Sequence, residues 1–282
     1  MTAADQAGGR LVELDGATLH VTESGPPGGR PVVLVHGFLT DSTTWRHVAP
    51  GLAERYRTVL VDLPACGGSP VPGRTDWTAD SAADLLVGLL DALELRDPVL
   101  VGSQMGGSLT AWAAARHPGR LAGMVVMAAG ALGEGAANLG LFRALGAPLL
   151  GPLLARAFPY GPFAARWAAT HGPGFVPEPT AVAHYHRQLR GRGAPMARFG
   201  LGVRLSYGED FDVLAGPLRG ATLPTTLVFG AADRLVPPST GRRFAELLPH
   251  ARLVELPGCG DFPQEERPDE VRDAVRALIE QL

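Results

Sequence analysis

Residues 98–107 read PVLVGSQMGG, and this stretch decides the fold class of the chain. Residues 98–102 are a short apolar run of the kind that forms a buried strand, and apolar residues at helical spacing follow from 104. The glycines at 102, 106 and 107 allow a sharp turn between the two elements. A strand, a tight turn and a helix in this order lift one side chain into a pocket at the end of a sheet.

Strands and helices alternate along most of the chain. Two alternating segments around Asp15-Gly16, over residues 11–23, predict an antiparallel hairpin. Continuous Val and Leu runs predict strands covered on both faces, at residues 32–36, 58–63, 98–102, 121–128, 224–230 and 251–256. Apolar residues three and four apart predict helices at residues 43–55, 78–94, 104–117, 238–248 and 268–281. This alternation predicts an α/β fold with a mostly parallel sheet of about eight strands.

Residues 131–215 interrupt the alternation. They are rich in glycine and proline, contain no strong strand run and hold most of the aromatic residues, Trp167 and Tyr185 among them. About 85 residues between two strands are too many for a loop. We therefore predict a core domain at 1–130 and 216–282 and a helical lid at 131–215. The lid should cover the C-terminal ends of the strands, where open α/β sheets bind their ligands.

Composition excludes several classes of protein. The net charge is −3, so no basic surplus exists to bind nucleic acid. No apolar run has the roughly 18 residues of a membrane span, and no secretory signal is visible at residues 1–10. All 25 basic residues are arginine, which excludes lysine Schiff-base chemistry and is typical of a GC-rich genome. We expect a cytoplasmic monomer or homodimer with no membrane partner.

Neither a disulfide framework nor a metal site is expected. The chain has two cysteines, Cys66 and Cys259, and both are interpreted as small buried packing residues. No grouping of histidine, cysteine and carboxylate residues has the spacing of a metal site, and no cofactor is expected.

Further motifs occur in the order and at the spacing of one family. They are His36-Gly37-Phe38, Asp62-Leu63-Pro64, the turn at 102–107, Asp233 with Val236-Pro237, and a closing stretch from Pro257 to Pro268. From about Leu11 to Leu282 the chain resembles the lid-bearing branch of the α/β-hydrolase fold superfamily, which includes esterases, haloperoxidase-like enzymes and epoxide hydrolases. The resemblance implies a sheet of about eight mostly parallel strands with a helical lid.

The positions that carry catalysis in that family hold other residues here. The family pattern Gly-x-nucleophile-x-Gly-Gly, set on the three glycines of the turn, places Gln104 at the nucleophile. Ser103 could take that role only if the register slipped by one residue. The family's histidine position holds Asp261, and only the acid position, Asp233, matches. Because a Gln amide is not a nucleophile and Asp lacks the near-neutral pKa of His, Ser-His-Asp catalysis is not expected.

The resemblance also implies what remains of the site. Backbone N–H groups of Phe38 and Met105 would form an oxyanion hole, which survives replacement of side chains. Asp233 and Asp261 would lie close together, so that one of them keeps a proton near neutral pH. Gln104 would add an amide at the floor of the pocket. Further substrate contacts are assigned to His36, Ser103, Trp167 and Tyr185, although a structural role for His36 is also open.

The remaining lid residues are interpreted more simply. His184 and His186 are two residues apart, so they face different ways on a helix, and a solvated helix explains them. The same holds for Arg187, Arg190 and Arg192. A lid histidine that replaces the missing base is the alternative.

These observations favour an enzyme that does not hydrolyse its substrate. It would be a cyclase, isomerase or lyase that acts on an apolar, polyketide- or terpenoid-like carbonyl compound in natural-product biosynthesis. Asp261 would be the acid or base, and the shape of the pocket would provide the remaining catalysis. Two alternatives stay open: a non-catalytic protein that keeps the ligand pocket, and an atypical hydrolase with Asp261 as a general base on water.

Overall fold

The computed structural model describes residues 9–130, 139–205 and 212–282. Within these ranges, eight strands form one sheet: β1 (Arg10–Leu14), β2 (Ala17–Ser24), β3 (Pro31–Val35), β4 (Arg57–Asp62), β5 (Val99–Ser103), β6 (Gly123–Met127), β7 (Thr225–Gly230) and β8 (Arg252–Leu256). Their order across the sheet is β1-β2-β4-β3-β5-β6-β7-β8. The β1–β2 and β2–β4 pairs are antiparallel, and all other pairs are parallel. The predicted α/β fold with about eight mostly parallel strands is confirmed.

Helices lie between the strands and follow the last one. They are α1 (Ala49–Ala53), α2 (Ala79–Ala92), α3 (Met105–Arg116), α4 (Leu139–Gly146), α5 (Leu150–Ala157), α6 (Tyr160–Ala169), α7 (Pro179–Leu205), α8 (Asp212–Leu218), α9 (Pro238–Leu247), α10 (Pro263–Glu266) and α11 (Pro268–Ile279). Among the residues that the structure describes, no helix is long and apolar enough to cross a membrane.

The two faces of the sheet carry two apolar layers. On one face, Val33 and Val35 of β3 pack into a cluster with α2, α3 and α8. On the other, Val32 and Leu34 pack with Trp45, α1 and α11. Every residue of β5 is buried, as the continuous apolar run at 98–102 predicts for a strand covered on both sides.

One predicted helix is broken in two. Residues 43–55 hold a 3₁₀ turn over Ser42–Trp45, capped by the Asp41 side chain, and the short helix α1. Pro50 lies in the first turn of α1, where its missing N–H costs no hydrogen bond. The same proline cannot continue a helix that begins at Trp45, because it has no N–H to donate to the preceding turn. The prediction of one continuous helix over these residues is wrong.

Helices α4–α8 all lie between β6 and β7. Helices α4–α7 fall inside the stretch assigned to the lid, and α8 extends past its end at 215. Apolar side chains from α4 to α7 form their own cluster, which includes Leu145, Phe163, Trp167 and Tyr185 and reaches Phe262 of the core. Residues 131–138 and 206–211 lie outside the described residues, and the division into core and lid at 131 and 215 stays a prediction.

Polar side chains along one face of α7 bind this helix to the core. The Nε2 atom of His184 lies 2.6 Å from Oδ2 of Asp41, and Gly67 N–H donates to Gln188 Oε1 over 2.8 Å. The Arg192 guanidinium donates to the carbonyl oxygens of Gly67 and Ser69 over 2.9 and 2.7 Å. These residues are four apart, so they share a face of the helix.

The expected solvated face of α7 is therefore wrong for three of its residues. His184 and Arg192 contact the core as described, and the buried His186 places Nε2 2.8 Å from the carbonyl oxygen of Phe158. Their polar character reflects pairing across an interface rather than exposure to water. Arg187 and Arg190 are exposed.

Candidate functional site

The sharp turn between β5 and α3 has Gln104 at its apex. Gln104 adopts φ 55° and ψ −118°, a conformation that residues other than glycine rarely take. The flanking glycines make the turn possible, because a Cβ on Gly102 would lie 2.2 Å from the carbonyl oxygen of Gly106. A Cβ on Gly106 would lie 2.3 Å from that of Val35. The turn therefore presents the Gln104 side chain beyond the end of the sheet.

Gln104 meets Asp261, which lies on the loop between β8 and α10. The Gln104 amide Nε2 donates to Oδ2 of Asp261 and, over 3.3 Å, to its carbonyl oxygen. The backbone N–H of Asp261 donates to Thr170 over 2.9 Å, which joins this loop to the end of α6. Gly260 allows the approach, because a Cβ there would lie 2.5 Å from the Thr170 carbonyl oxygen.

Asp233 follows β7, and its charge acts on Asp261. Its Oδ1 atom accepts from the N–H groups of Leu235 and Val236 over 2.8 and 2.9 Å. Oδ2 of Asp233 and Oδ1 of Asp261 are both buried and have no hydrogen-bond partner. Two interacting buried carboxyl groups favour a state in which at least one of them is protonated.

The surroundings raise the pKa of both carboxyl groups. Burial raises the pKa of Asp261 well above its usual range, and the charge of Asp233 raises it further. Burial also raises the pKa of Asp233 to about 6, although the N–H groups of Val236 and Leu235 act against this. The pair therefore retains protons at a higher pH than exposed carboxyl groups do.

A buried glutamate organises the loop that carries Asp261. Glu266 accepts from Gly260 N–H over 3.0 Å and from Gly172 N–H over 2.8 Å. Its charge also contributes to the raised pKa values of both aspartates. Sequence reasoning missed this residue, because an acid in the first turn of a helix is ordinarily explained by the helix dipole.

Gln104 and Asp261 open onto a cavity of about 550 Å³. Its walls are mostly apolar and combine core and lid residues: Phe38, Leu39, Met105, Phe142, Phe163 and Trp167. Cavities of this size with a few converging polar groups are the usual form of a small-molecule site. Among the described residues, no group of three histidine, cysteine or acidic side chains could hold a metal ion.

The loop after β3 faces the same point from the other side. A Cβ on Gly37 would lie 1.9 Å from Oε1 of Gln104, so the amide oxygen rests against this loop. Oε1 is buried and has no hydrogen-bond partner. Met105 is the first residue of α3, where backbone N–H groups have no acceptor within the helix. Gln104 thus spans the gap between Asp261 and the Gly37-Phe38 loop.

A strand-turn-helix apex, an acid after β7 and a polar residue after β8 are the arrangement of one fold family. A model of the α/β hydrolase fold matches residues 30–268. The chain belongs to the α/β-hydrolase fold family. In this family the apex of the turn carries the nucleophile. In this chain Gln104 lies at the apex, and Asp261 lies on the loop after β8.

Several α/β-hydrolase relatives resemble the chain over nearly its whole length. An uncharacterised hydrolase, YugF, of Bacillus subtilis is 26% identical over 96% of this chain and 97% of its own. A 2-hydroxy-6-oxo-2,4-heptadienoate hydrolase of Pseudomonas putida is 29% identical over 95% and 94%. The structure of an enol-lactonase from Burkholderia xenovorans superposes with a TM-score of 0.80 at 20% identity, over 96% and 100% of the two chains.

These relatives correct the expected function. They are enzymes, and those compared here carry the names of hydrolases. The expectation of a non-hydrolytic cyclase, isomerase or lyase in natural-product biosynthesis is therefore wrong. A Gln at the apex does not exclude hydrolysis, because a hydrolase can use water in place of a side-chain nucleophile.

Of the residues assigned to the site, five line the cavity and one supports it. Those on the wall are Phe38, Gln104, Met105, Trp167 and Asp261. Asp233 does not line the cavity, and its charge raises the pKa of Asp261.

Three residues assigned to substrate contacts are buried elsewhere, and those assignments are wrong. Ser103 ends β5 and donates to Gln264 Oε1 over 2.9 Å. His36 accepts at Nε2 from Leu63 N–H over 2.9 Å, and burial lowers its pKa, so it braces the loops as a neutral ring. The Tyr185 hydroxyl donates to Glu265 over 2.7 Å. None of the three lies on the cavity wall.

No lid histidine takes the place of the missing base. His184 and His186 are engaged as described above and do not line the cavity. A third, His171, stacks on Phe262 with ring centroids 4.8 Å apart, next to Asp261 in the chain, and does not line the cavity either. The group on the cavity wall best suited to accept a proton is the carboxyl of Asp261.

Proposed function

We propose that the protein is a hydrolase in which Asp261 activates a water molecule and no side chain forms a covalent intermediate. The observation that carries the proposal is the pair of buried aspartates, Asp261 and Asp233, whose pKa values are both raised and of which Asp261 lines an apolar cavity. In the proposed mechanism the two carboxyl groups share one proton. Pairs of carboxyl groups that share a proton are suited to general acid–base catalysis near neutral pH.

Asp261 can accept a proton because Asp233 takes one from it. Moving the shared proton from Oδ1 of Asp261 to Oδ2 of Asp233 leaves Asp261 as the carboxylate. Its Oδ2 atom, on the side of Gln104 and the cavity, then removes a proton from water. The water oxygen forms a bond to the carbonyl carbon of an ester, and the carbonyl π pair moves onto its oxygen. The bond to the leaving alcohol then breaks, and Asp261 returns the proton to that oxygen.

The negative oxygen formed in this step lies near backbone donors. The N–H groups of Phe38 and Met105 occupy the positions of the family's oxyanion hole. Gln104 rests against Gly37 at this point, so an ester carbonyl enters only when the Gln104 side chain rotates away. The apolar walls and the volume of about 550 Å³ suit an ester with an apolar acyl group.

The proposal is tested by the rate of hydrolysis of p-nitrophenyl esters of increasing chain length. Asp261→Asn keeps the size of the side chain and removes its ionisation, so the rate should fall by about 10²–10⁴. The wild-type rate should fall as the pH drops below about 6, because Asp233 then takes up a second proton and the pair loses its charge.

Ser103→Ala is the matched control for a serine mechanism. Because the Ser103 hydroxyl is buried and bonded to Gln264, its removal should leave the rate within about threefold of wild type, near the worth of one hydrogen bond. A fully active Asp261→Asn enzyme, or stoichiometric labelling of Ser103 by a fluorophosphonate, would show that the proposal is wrong.

A second candidate is a ligand-binding protein without catalysis. It is supported by the Gln104 amide, whose oxygen takes the place of a substrate carbonyl against Gly37. Saturable binding of a fluorescent apolar ester that is recovered intact, with no turnover across the chain-length series, would select this candidate.

A further inference from the structure

Helix α5 presents leucines to solvent. Leu149 is 88% exposed, Leu153 is 67% exposed and Leu150 is 52% exposed. Leu149, Leu153 and Arg156 are spaced four and three residues apart, so they share one face of the helix, while Gly151 and Ala155 on the other face are buried. Adjacent exposed leucines on a short helix mark a contact surface more often than scattered single ones do.

The helices around this face carry a strong positive charge. Residues 139–205 contain eight arginines and a single acidic residue, Glu178, in a chain with a net charge of −3. Glu178 is already paired with Arg46 over 3.0 Å and lies 2.6 Å from His47, so it does not neutralise the lid. Arg156 is exposed beside Leu153, and Arg190 of α7 reaches its carbonyl oxygen over 2.8 Å.

We propose that this surface, defined by Leu149, Leu150, Leu153 and Arg156 and joined by the exposed Arg143 of the preceding helix α4, binds an anionic lipid bilayer from one side. The leucines would enter the boundary between headgroups and acyl chains, and the arginines would pair with lipid phosphates. Such a peripheral contact needs no helix that crosses the membrane, and the described part of the chain holds none.

A bilayer fits this surface better than an acidic protein does. The leucines protrude from the helix, which suits insertion into lipid, and a protein partner would need polar groups paired one to one with the arginines. Helix α4, which leads into this surface, also lines the cavity through Leu141 and Leu145. Binding would therefore place the lid side of the cavity near the bilayer. The inference does not depend on the proposed reaction.

Cosedimentation with vesicles tests the leucines. The full chain should bind vesicles of phosphatidylcholine mixed with phosphatidylglycerol, and salt should weaken that binding. Leu149→Asp/Leu153→Asp should reduce it at least about tenfold, because each leucine loses its burial in the acyl region. Leu11→Asp, at a 55% exposed leucine of β1, is the matched control and should bind like wild type.

The charge is tested separately. Arg143→Gln/Arg156→Gln should weaken binding about fivefold for each arginine removed, and Arg252→Gln on β8 should have no effect. Circular dichroism confirms that each variant is folded.

Three results would overturn the proposal. They are wild-type binding by Leu149→Asp/Leu153→Asp, equal binding to pure phosphatidylcholine vesicles, and no binding of the wild-type chain to anionic vesicles. In the last case, retention of the chain on an immobilised acidic protein would reassign the surface to a protein partner.

Discussion

Asp41 and Asp261 are two buried carboxyl groups in opposite electrostatic surroundings. Burial alone would raise the pKa of Asp41, but hydrogen bonds from His184 and Thr43 and the charge of His184 outweigh it and hold this pKa below its usual range. At Asp261, burial and the charge of Asp233 both raise the pKa, and only the Gln104 amide acts against them. Neighbouring groups, not burial, decide whether a buried acid stays ionised.

The two sites serve different ends for this reason. Asp41 stays charged and joins α7 to the core through His184 and Gln188. Asp261 has a raised pKa and faces a cavity, which is where a group able to exchange protons is useful. The same change, Asp to Asn, should therefore have opposite effects on stability at Asp41 and at Asp233.

The largest expected effect comes from rebuilding the family's residues at the site. Gln104→Ser with Asp261→His would set a hydroxyl at the apex, an imidazole on the loop after β8 and Asp233 behind it. A fluorophosphonate should then label the protein stoichiometrically at position 104, whereas the wild-type chain should not be labelled. Mass spectrometry of the intact protein measures both.

Each single variant is a control for the double variant. Gln104→Ser lacks the imidazole and Asp261→His lacks the hydroxyl, so neither should react. Labelling of the wild-type chain would contradict this prediction. A folded double variant that is not labelled would also contradict it, because the site would then lack the geometry of the family.

Asp41→Asn should destabilise the protein by about 3 kcal/mol at pH 7, because the hydrogen bonds of a buried, charged acceptor are lost. The folded-state pKa of Asp41 is lowered, so its contribution is present above the unfolded value of 3.8 and is lost as the pH falls. Urea unfolding at pH 7 and near pH 3.5 should show the difference from wild type shrinking at the lower pH. An equal difference at both values would contradict the role of the charge.

Asp233→Asn should instead stabilise the protein, by about 2 kcal/mol at pH 8. The pKa of Asp233 rises from 3.8 to about 6 on folding, so the folded state favours the neutral acid. Wild-type stability is lost as the pH rises through about 6, by at most about 3 kcal/mol at 1.36 kcal/mol per pKa unit. An Asn side chain keeps an oxygen that accepts from the N–H groups of Leu235 and Val236. It carries no charge, so the protein does not lose this stability as the pH rises.

Thermal unfolding against pH checks the Asp233 prediction. The gain should be full at pH 8 and absent near pH 4, while the exposed Asp273→Asn changes little at either pH. A loss of stability at pH 8 would mean that Asp233 is held as a stabilising carboxylate, like Asp41.

The alternation of apolar runs and helical periods was enough to predict the sheet, because buried parallel strands need continuous Val and Leu. The turn at 102–107 could also be located from its glycines. A Cβ added at Gly102 or Gly106 would lie about 2 Å from a backbone oxygen, so only glycine fits there. The break of the helix predicted at 43–55 was less visible. It depends on Pro50 together with a cap from Asp41, and each alone is compatible with a helix.

The sequence by itself determined the fold, the identity of the residues at Gln104, Asp233 and Asp261, and the absence of serine and histidine from those positions. Only the tertiary structure decided that burial raises the pKa of Asp261 and Asp233, that Tyr185 and Ser103 do not line the cavity, and that Glu266 accepts from the backbone of the last loop. The reason is physical. Periodicity and turn chemistry act between residues close in the chain, whereas the pKa of a carboxyl depends on neighbours brought from distant strands and helices.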